Sequence, residues 1–465
     1  MSTALLLSSV VAAIAVLLLL IMGLRLHAFV ALLLVSIVTA VVVGIPLSEI
    51  VDTVEEGMGG VLGFVAIIVG LGAMFGQVLR VTGAAEQIAD TLIKAFGEKR
   101  VPWSLGLTGL IVAIPVFFDV GLVLLIPLVY TLAKRLKISL VALALPLLAG
   151  LSAAHSLVPP TPGPVAAAGV LGADLGWVMI LGLAASVPAV ILGGVVYGKW
   201  IGAKVVVGVP EGMADEARDE AGEGGDENGD GDGDEGRDSS RGAPSFGVIL
   251  TILAVPIVLI LGNTAAAAFL DEETTLAEVL ALVGDPIVAL IIAVLLAFYV
   301  LGARHGLGRS ELQSVASAAL GPVGLIILVT GAGGVFGQVL EDSGVGDALE
   351  EVFVGSGLPL ILLAFIAAAL LRVALGSGTV ATVTSAAIVA QVAEGADLSA
   401  GMLAAVVIAI GAGATVLSHV NDSGFWLVNR YLGLTERQTL MTWTAMQTIM
   451  GATAFLTVWA LSAVL

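Results

Sequence analysis

Long apolar runs, separated by short polar or glycine-rich breaks, set the pattern of this chain from end to end. Runs such as Thr3 to Gly23, Phe246 to Gly262 and Val288 to Gly302 approach or exceed the roughly 18 to 20 apolar residues that cross a bilayer as a helix. No basic residue precedes the first run, so a membrane helix fits it better than a cleaved signal peptide. The pattern therefore predicts a protein that crosses the membrane several times.

The apolar runs divide the chain into two halves of the same design. Each half has three spanning helices, a long apolar stretch broken near its centre, a second interrupted segment and a final helix. In the first half these segments are predicted at 3–23, 27–45, 59–80, 103–134, 139–172 and 176–203. In the second half they are predicted at 246–262, 285–302, 320–340, 358–393, 400–430 and 440–464.

An internal repeat supports this division. Phe75-Gly-Gln-Val-Leu79 recurs letter for letter as Phe336-Gly-Gln-Val-Leu340. The flanking glycines also match, with Gly72, Gly76 and Gly83 corresponding to Gly333, Gly337 and Gly344. Internal symmetry in an apolar chain is typical of secondary transporters, whose substrate site lies where the two related halves meet. The glycine pairs in these helices predict close helix packing.

The broken stretch 103–134 is too long for one ordinary crossing and too short for two with a turn, so it predicts a re-entrant hairpin. If each half crosses the membrane five times and its hairpin returns to its own side, the number of crossings per half is odd. The second half would then enter the membrane from the opposite face. We expect an all-α polytopic membrane protein with two inverted-topology repeats, each of about five spanning helices, one re-entrant hairpin and a broken helix. The repeats are predicted at 1–204 and 245–465, joined by a linker at 205–244.

Composition agrees with a membrane protein. Hydrophobic residues make up 58% of the 465 positions and charged residues 12%, and the mean hydropathy is +1.11, outside the range of soluble domains. The net charge of −19 comes mostly from Glu211 to Asp238, which contains thirteen acidic residues. This tract predicts a disordered linker. It lacks the spacing of a calcium-binding loop, and we expect no metal site and no cofactor. The absence of cysteine excludes disulfides and thiol catalysis.

Basic residues predict the orientation, because Lys and Arg concentrate on the cytoplasmic side of short loops. Of the eighteen basic residues, the division into segments places all but Arg372 on one face, together with the acidic linker. The linker is thus predicted to be cytoplasmic and both termini external, in a multi-pass plasma-membrane protein. Arg372 falls inside the second hairpin.

Polar residues at the hairpin tips and helix breaks are the candidates for substrate binding and proton coupling. Charged groups at membrane depth are retained mainly where they line a cavity or form pairs. The candidates for proton coupling are Asp119, His155, His419 and Asp422. The candidates for substrate binding are Arg372, Ser377, Thr379, Asn421, Ser423 and Thr161. Arg372 would bind a carboxylate through its two-pronged guanidinium, and the breaks would expose backbone amides to an anion.

Structural roles stay open for several of these residues. Arg372 is also suited to an ion pair with Asp119 or Asp422. His155 and His419 are also suited to a core position in which their ring nitrogens are satisfied.

The chain resembles the gluconate:proton symporter (gluconate permease) family of the ion transporter superfamily. The residues that carry this resemblance are Phe118-Asp-Val-Gly-Leu-Val-Leu-Leu-Ile-Pro127, Leu157-Val-Pro-Pro-Thr-Pro-Gly-Pro164, Arg372-Val-Ala-Leu-Gly-Ser-Gly-Thr-Val-Ala381 and Ser418-His-Val-Asn-Asp-Ser-Gly-Phe-Trp426. The resemblance implies inward uptake of gluconate or a related sugar acid, driven by proton entry. Members similar to this chain commonly carry His where Thr161 stands.

Three alternatives remain at this point. A sodium-coupled organic-anion carrier would also use carbonyls and hydroxyls at helix breaks. An intramembrane enzyme would use Asp119 and Asp422 as an acid pair. An ion channel fits paired hairpin tips less well than a carrier does. The expected partners are the organic anion, protons and the lipid bilayer, without nucleic acid, and a homo-oligomer stays open.

Overall fold

The computed structural model describes residues 3–210, 244–270, 274–343, 358–394, 396, 398–419 and 422–465. The linker residues 211–243 lie outside this range. In the first half the helices are α1 (Thr3–Leu18), α2 (Ala28–Val43), α3 (Ile50–Val81), α4 (Ala84–Phe96), α5 (Val101–Val112), α6 (Phe118–Leu136), α7 (Leu140–Leu157), α8 (Pro162–Leu171), α9 (Leu175–Ala189) and α10 (Tyr197–Gly202).

The second half is also helical over its described residues. Its helices are α11 (Phe246–Phe269), α12 (Thr275–Val283), α13 (Pro286–Leu296), α14 (Arg309–Asp342), α15 (Leu360–Leu375), α16 (Gly378–Glu394), α17 (Ala400–Gly413), α18 (Ser423–Leu432), α19 (Glu436–Thr439) and α20 (Ala445–Ser462). Short π-helical segments extend or join some of them, at Leu19–Gly23, Val190–Val196, Ala297–Gly302 and Leu440–Thr444.

The predicted all-helical membrane fold is confirmed. Six helical segments of the described chain are long and apolar enough to cross a bilayer, by length and composition. Helices α3 and α14 begin at Ile50 and Arg309, earlier than the predicted 59 and 320. Their first turns include the charged residues Asp52 and Glu311, and backbone hydrogen bonding carries a helix beyond the apolar stretch that hydropathy detects. Helices α4 and α12 connect the spanning segments and were not predicted from hydropathy.

Two helix–turn–helix units occupy the predicted hairpin positions. In the first, α5 has 12 residues, about 18 Å at 1.5 Å per residue, which is well short of a bilayer core of about 30 Å. The chain then turns at residues 113–117 and continues as α6. In the second, α15 and α16 are separated only by Gly376 and Ser377, with Gly376 in a left-handed conformation that favours glycine (φ 77°).

Two helices are interrupted, as predicted. The first breaks at residues 158–161, between α7 and α8, and the second between α17 and α18. The interrupted helices come into contact where a Cβ on Gly411 of α17 would stand 2.4 Å from the carbonyl oxygen of Ser156 in α7. Glycine permits this approach because it has no side chain. The backbone of the second half thus packs directly beside the break in the first.

Helices α3 and α14 correspond to each other in the two halves, since each carries one copy of the repeated motif in its last two turns. They pack extensively, and they run antiparallel: Gly57 lies against Val335, Met58 against Gly331 and Gly70 against Leu320. A hydrogen bond of 2.9 Å from the Thr53 hydroxyl to Asp342 follows the same register. Inverted repeats require corresponding helices to run in opposite directions, so this pair agrees with the inverted topology, which stays a prediction.

The predicted packing role of the repeated glycines agrees with the structure. A Cβ on Gly76 would stand 1.9 Å from the backbone oxygen of Pro115 at the first hairpin turn, and one on Gly72 would stand 3.5 Å from the Pro160 oxygen at the first break. In the second half a Cβ on Gly333 would stand 2.1 Å from a methyl of Val383 in α16. Helices α3 and α14 therefore each support the hairpin of their own half.

Candidate functional site

A cavity of about 540 Å³ lies between the two hairpins and the two helix breaks, a volume typical of small-molecule sites. Both halves of the chain line it. Its wall comes from the turn before α6, from α7 and the start of α8, from the turn between α15 and α16, and from α18 and the segment that precedes α20.

Four helices begin at this cavity: α6, α8, α16 and α18. The first turns of all four contribute to the wall, including Asp119, Gly163, Thr379 and Gly424. The first N–H groups of a helix have no partner within it, and the helix dipole places partial positive charge at that end. Four such ends around one cavity favour a bound anion.

Arg372 lies in the last turn of α15 and lines the cavity, with its side chain only 6% exposed. One guanidinium nitrogen donates to the carbonyl oxygen of Gly376, which wraps the side chain over the hairpin turn. A second nitrogen, Nη2, forms an ion pair of 2.5 Å with Asp422 Oδ2. The Nε atom is buried and has no hydrogen-bond partner among the described residues. The ion pair that the sequence left open is thus made with Asp422, not Asp119.

Asp422 precedes α18 as its N-cap residue. Its carboxylate accepts hydrogen bonds from the Ser418 hydroxyl and, at 3.2 Å, from the Gly424 backbone N–H. Ser418 in turn accepts a hydrogen bond of 2.6 Å from the indole Nε1 of Trp443. This network fixes the carboxylate that neutralises Arg372 and ties the second break to the last helix.

Asp119 and His155 differ from the Arg372–Asp422 pair because neither side chain forms a hydrogen bond or an ion pair with a described residue. Asp119, in the first turn of α6, is exposed to the cavity and forms no hydrogen bond or ion pair with a described residue. His155 also lines the cavity, and its Nδ1 is buried without a partner among the described residues. The imidazole packs edge-on to Phe117, with ring centroids 6.3 Å apart. The cavity therefore contains one cation, two carboxylates and an unengaged imidazole.

A comparison with protein families identifies the class of protein that contains this cavity. The model of the GntP family permeases matches residues 5–464. The chain belongs to the GntP permease family. It is therefore a membrane permease and not an enzyme, which removes the intramembrane acid pair as an alternative.

Related GntP proteins match nearly the whole chain. A low-affinity gluconate transporter of Escherichia coli K12 is 42% identical over 451 residues, 97% of each chain. A gluconate permease of Pseudomonas aeruginosa is 39% identical, covering 95% of this chain and 94% of the relative. An L-idonate transporter of Escherichia coli K12 is 36% identical, covering 98% and 99%.

Solved transporter structures share the fold of this GntP permease. The YdaH transporter of Alcanivorax borkumensis aligns with a TM-score of 0.63 over 94% of this chain and 98% of that one, at 16% identity. MtrF of Neisseria gonorrhoeae aligns with a TM-score of 0.60 over 93% of both chains, at 13% identity. At such identities the likeness concerns the fold alone.

The structure of this GntP permease brings together most of the residues singled out in the sequence. The cavity wall includes Asp119, His155, Arg372, Ser377, Thr379, Asp422 and Ser423. Asn421 lies outside the described residues. Thr161 and His419 do not line the cavity. The Thr161 hydroxyl donates to the Val158 carbonyl at 2.5 Å, within the break. The His419 Nε2 lies 3.0 Å from the Val373 carbonyl, to which it can only donate.

Other cavity residues of the GntP permease were missed in the sequence. They are Ser152 and Ser156 in α7, Thr382 in α16, and Trp443 and Gln447 in the last spanning segment. Uncharged polar residues in apolar helices cost far less than charges do, so no composition signal separates them from their neighbours. The helical spacing of Ser152 with His155 and Ser156 was the available signal, because residues three and four apart share a face.

Proposed function

We propose that this protein imports gluconate or a closely related sugar acid together with protons, by alternating access to the cavity between its two halves. The supporting observation is the convergence of Arg372 and four helix N-termini on a cavity that also exposes the unengaged carboxyl group of Asp119. The names of the related transporters and permeases, which refer to gluconate and L-idonate, supply the substrate class.

In this proposal Arg372 binds the substrate carboxylate. Its guanidinium is already neutralised by Asp422, so a second carboxylate shares the cation or displaces Asp422 from Nη2. The N-terminal ends of α6, α8, α16 and α18 assist, because the helix dipole places partial positive charge there. At α18 the Gly424 N–H already donates to Asp422, and at α8 Pro162 and Pro164 have no N–H, so these two ends act mainly through the dipole. Ser377, Thr379 and Ser423 lie where hydroxyl groups of the substrate would meet them.

Proton coupling follows from the charge count of the cavity. With Asp119 ionised, the two carboxylates outnumber Arg372, and a bound carboxylate adds a further negative charge. At a separation of about 6 Å and an effective dielectric constant of about 20, two like charges repel by about 3 kcal/mol. A proton on Asp119 removes this repulsion, so the proton and the anion favour each other's binding. His155 is the second candidate to hold or pass that proton, and His419 a third.

Uptake of labelled gluconate into proteoliposomes tests the proposal. An inward proton gradient is expected to stimulate uptake and drive accumulation, and replacing sodium by potassium outside should have no effect. Uptake that ignores the proton gradient would overturn proton symport. Uptake that depends on sodium instead would establish the alternative of sodium coupling.

The proposal includes an orientation with the termini outside and the acidic linker in the cytoplasm. Because the chain has no cysteine, single cysteines introduced by Ser239→Cys in the linker and Glu49→Cys before α3 give clean labels. An impermeant thiol reagent applied to whole cells should label the second and spare the first. The reverse result would invert the orientation.

A further inference from the structure

The last spanning segment places a buried amide in the cavity wall, away from the hairpin tips and helix breaks. Gln447 lies in α20 and is 3% exposed. Its amide contacts the hydroxyl of Ser152 in α7, with Oγ 3.0 Å from Oε1 and 2.8 Å from Nε2. Ser152 is itself 4% exposed. The pair joins the two halves of the chain, since α7 belongs to the first and α20 to the second.

The Ser152 contact leaves hydrogen-bonding capacity on Gln447. A carboxamide offers two N–H donors and two acceptor lone pairs, and the Ser152 hydroxyl engages only part of these. No other described residue bonds to the amide. A buried amide oriented by a neighbour and facing a cavity can therefore both donate to and accept from one hydroxyl-bearing ligand.

The surroundings of Gln447 suit a polyhydroxylated chain. Trp443 lies one turn earlier on the same face and is held by its indole hydrogen bond to Ser418. Phe118 packs against Trp443 with ring centroids 5.3 Å apart. Apolar aromatic faces with a few placed polar groups are the usual composition of small-molecule sites. Through Ser418 and Asp422, Trp443 is also linked to Arg372, so the amide lies on the same wall as the cation.

We infer that Gln447, oriented by Ser152, is a specificity-determining residue that recognises the configuration of the substrate's hydroxyl groups. Arg372 would bind the carboxylate shared by all sugar acids, whereas Gln447 would distinguish among their carbon skeletons. A site that hydrogen-bonds a hydroxyl discriminates strongly against ligands that place it elsewhere, because the buried amide is then left unpaired. The inference rests on the proposed function for its substrate class.

The test compares gluconate with L-idonate, its epimer at carbon 5, in proteoliposomes that contain the full chain. The readout is the ratio of their apparent KM values in the wild type and in Gln447→Met, which conserves volume but cannot form these hydrogen bonds. We expect a ratio different from one in the wild type. In the variant, the preferred epimer should lose about tenfold in apparent affinity, the size of one neutral hydrogen bond, and the ratio should approach one.

Gln87→Met in α4 is the matched control, since Gln87 bonds to Thr91 on its own helix and lies outside the cavity wall. It should leave the ratio unchanged. Ser152→Ala is the second variant and tests the inference if Gln447→Met does not fold. It removes the hydroxyl that orients the Gln447 amide, so it should also move the ratio of apparent KM values toward one. Equal affinities for both epimers in the wild type would overturn the inference, as would variants that lower both affinities together at a constant ratio.

The two proposals fail separately. Loss of proton stimulation in the wild type would reject symport but leave the KM ratio measurable. An unchanged ratio in the variants would reject the role of Gln447 and leave symport untouched.

Discussion

Arg372 is the cation on which the proposed substrate site depends, and it has a structural role as well. Replacing it by Gln removes the proposed partner of the substrate carboxylate and also the 2.5 Å ion pair with Asp422. A loss of transport in Arg372→Gln alone would not separate these effects. The double variant Arg372→Gln with Asp422→Asn does, because it removes both members of the pair and leaves no buried charge behind.

The expected magnitudes follow from burial. The two side chains are 6% and 11% exposed, and removing one partner of a buried ion pair costs about 3 to 5 kcal/mol. We therefore expect Arg372→Gln to lower the free energy of unfolding by about 3 kcal/mol, and the double variant to recover most of that loss. Binding is different, because charge-assisted hydrogen bonds contribute about 1.5 to 3 kcal/mol each. Both variants should thus bind gluconate at least about tenfold more weakly.

Thermal unfolding in detergent measures the first effect, and labelled uptake in proteoliposomes measures the second. Arg80→Gln is the matched control, since Arg80 lies in α3 outside the cavity wall and donates to Gln77 on the same helix. It should transport normally. A double variant that is stable and transports gluconate with wild-type apparent affinity would refute the role of Arg372 in binding the carboxylate.

Two further variants test proton coupling and packing. Asp119→Asn mimics the protonated carboxyl group, so gluconate counterflow should persist while accumulation driven by the proton gradient is lost. The control is Asp90→Asn, because Asp90 is an exposed carboxylate outside the cavity wall. Accumulation that survives in Asp119→Asn would reject the role of Asp119. Gly76→Ala would place a Cβ 1.9 Å from the Pro115 oxygen, and should destabilise the protein by about 1 to 3 kcal/mol or more in thermal unfolding. Gly63→Ala in the same helix meets nothing within 4 Å and should not destabilise it; equal stability of the two variants would contradict the packing of α3 on the first hairpin.

The order of helices could be predicted because lipid imposes simple rules on a chain. Spanning length, the repeated Phe75 motif and the interruptions by proline and glycine indicated two halves of like design, and the structure has the corresponding helices. Arg372 stood out because a charge inside an apolar hairpin is costly. These signals are local, so they can be read along the chain without knowing which segments meet.

The partners of the site residues could not be predicted in the same way. Asp119 and Asp422 were equal candidates to pair with Arg372, and only the packing of α15 beside the second break decides for Asp422. Similarly, the Thr161 hydroxyl is used by the backbone of its own break, and His419 bonds to the Val373 carbonyl. Gln447 carries no charge, so its place in the wall depends on long-range packing that periodicity does not reveal.

The central claim is that the anion and a proton occupy the cavity together and cross together. Proton entry during gluconate uptake tests it most directly. The measurement uses a pH-sensitive dye trapped in proteoliposomes, in sodium-free potassium buffer with no imposed proton gradient. Adding external gluconate should acidify the interior, and Asp119→Asn should abolish that acidification while labelled gluconate still exchanges. Gluconate entry into wild-type vesicles without any acidification would contradict the account.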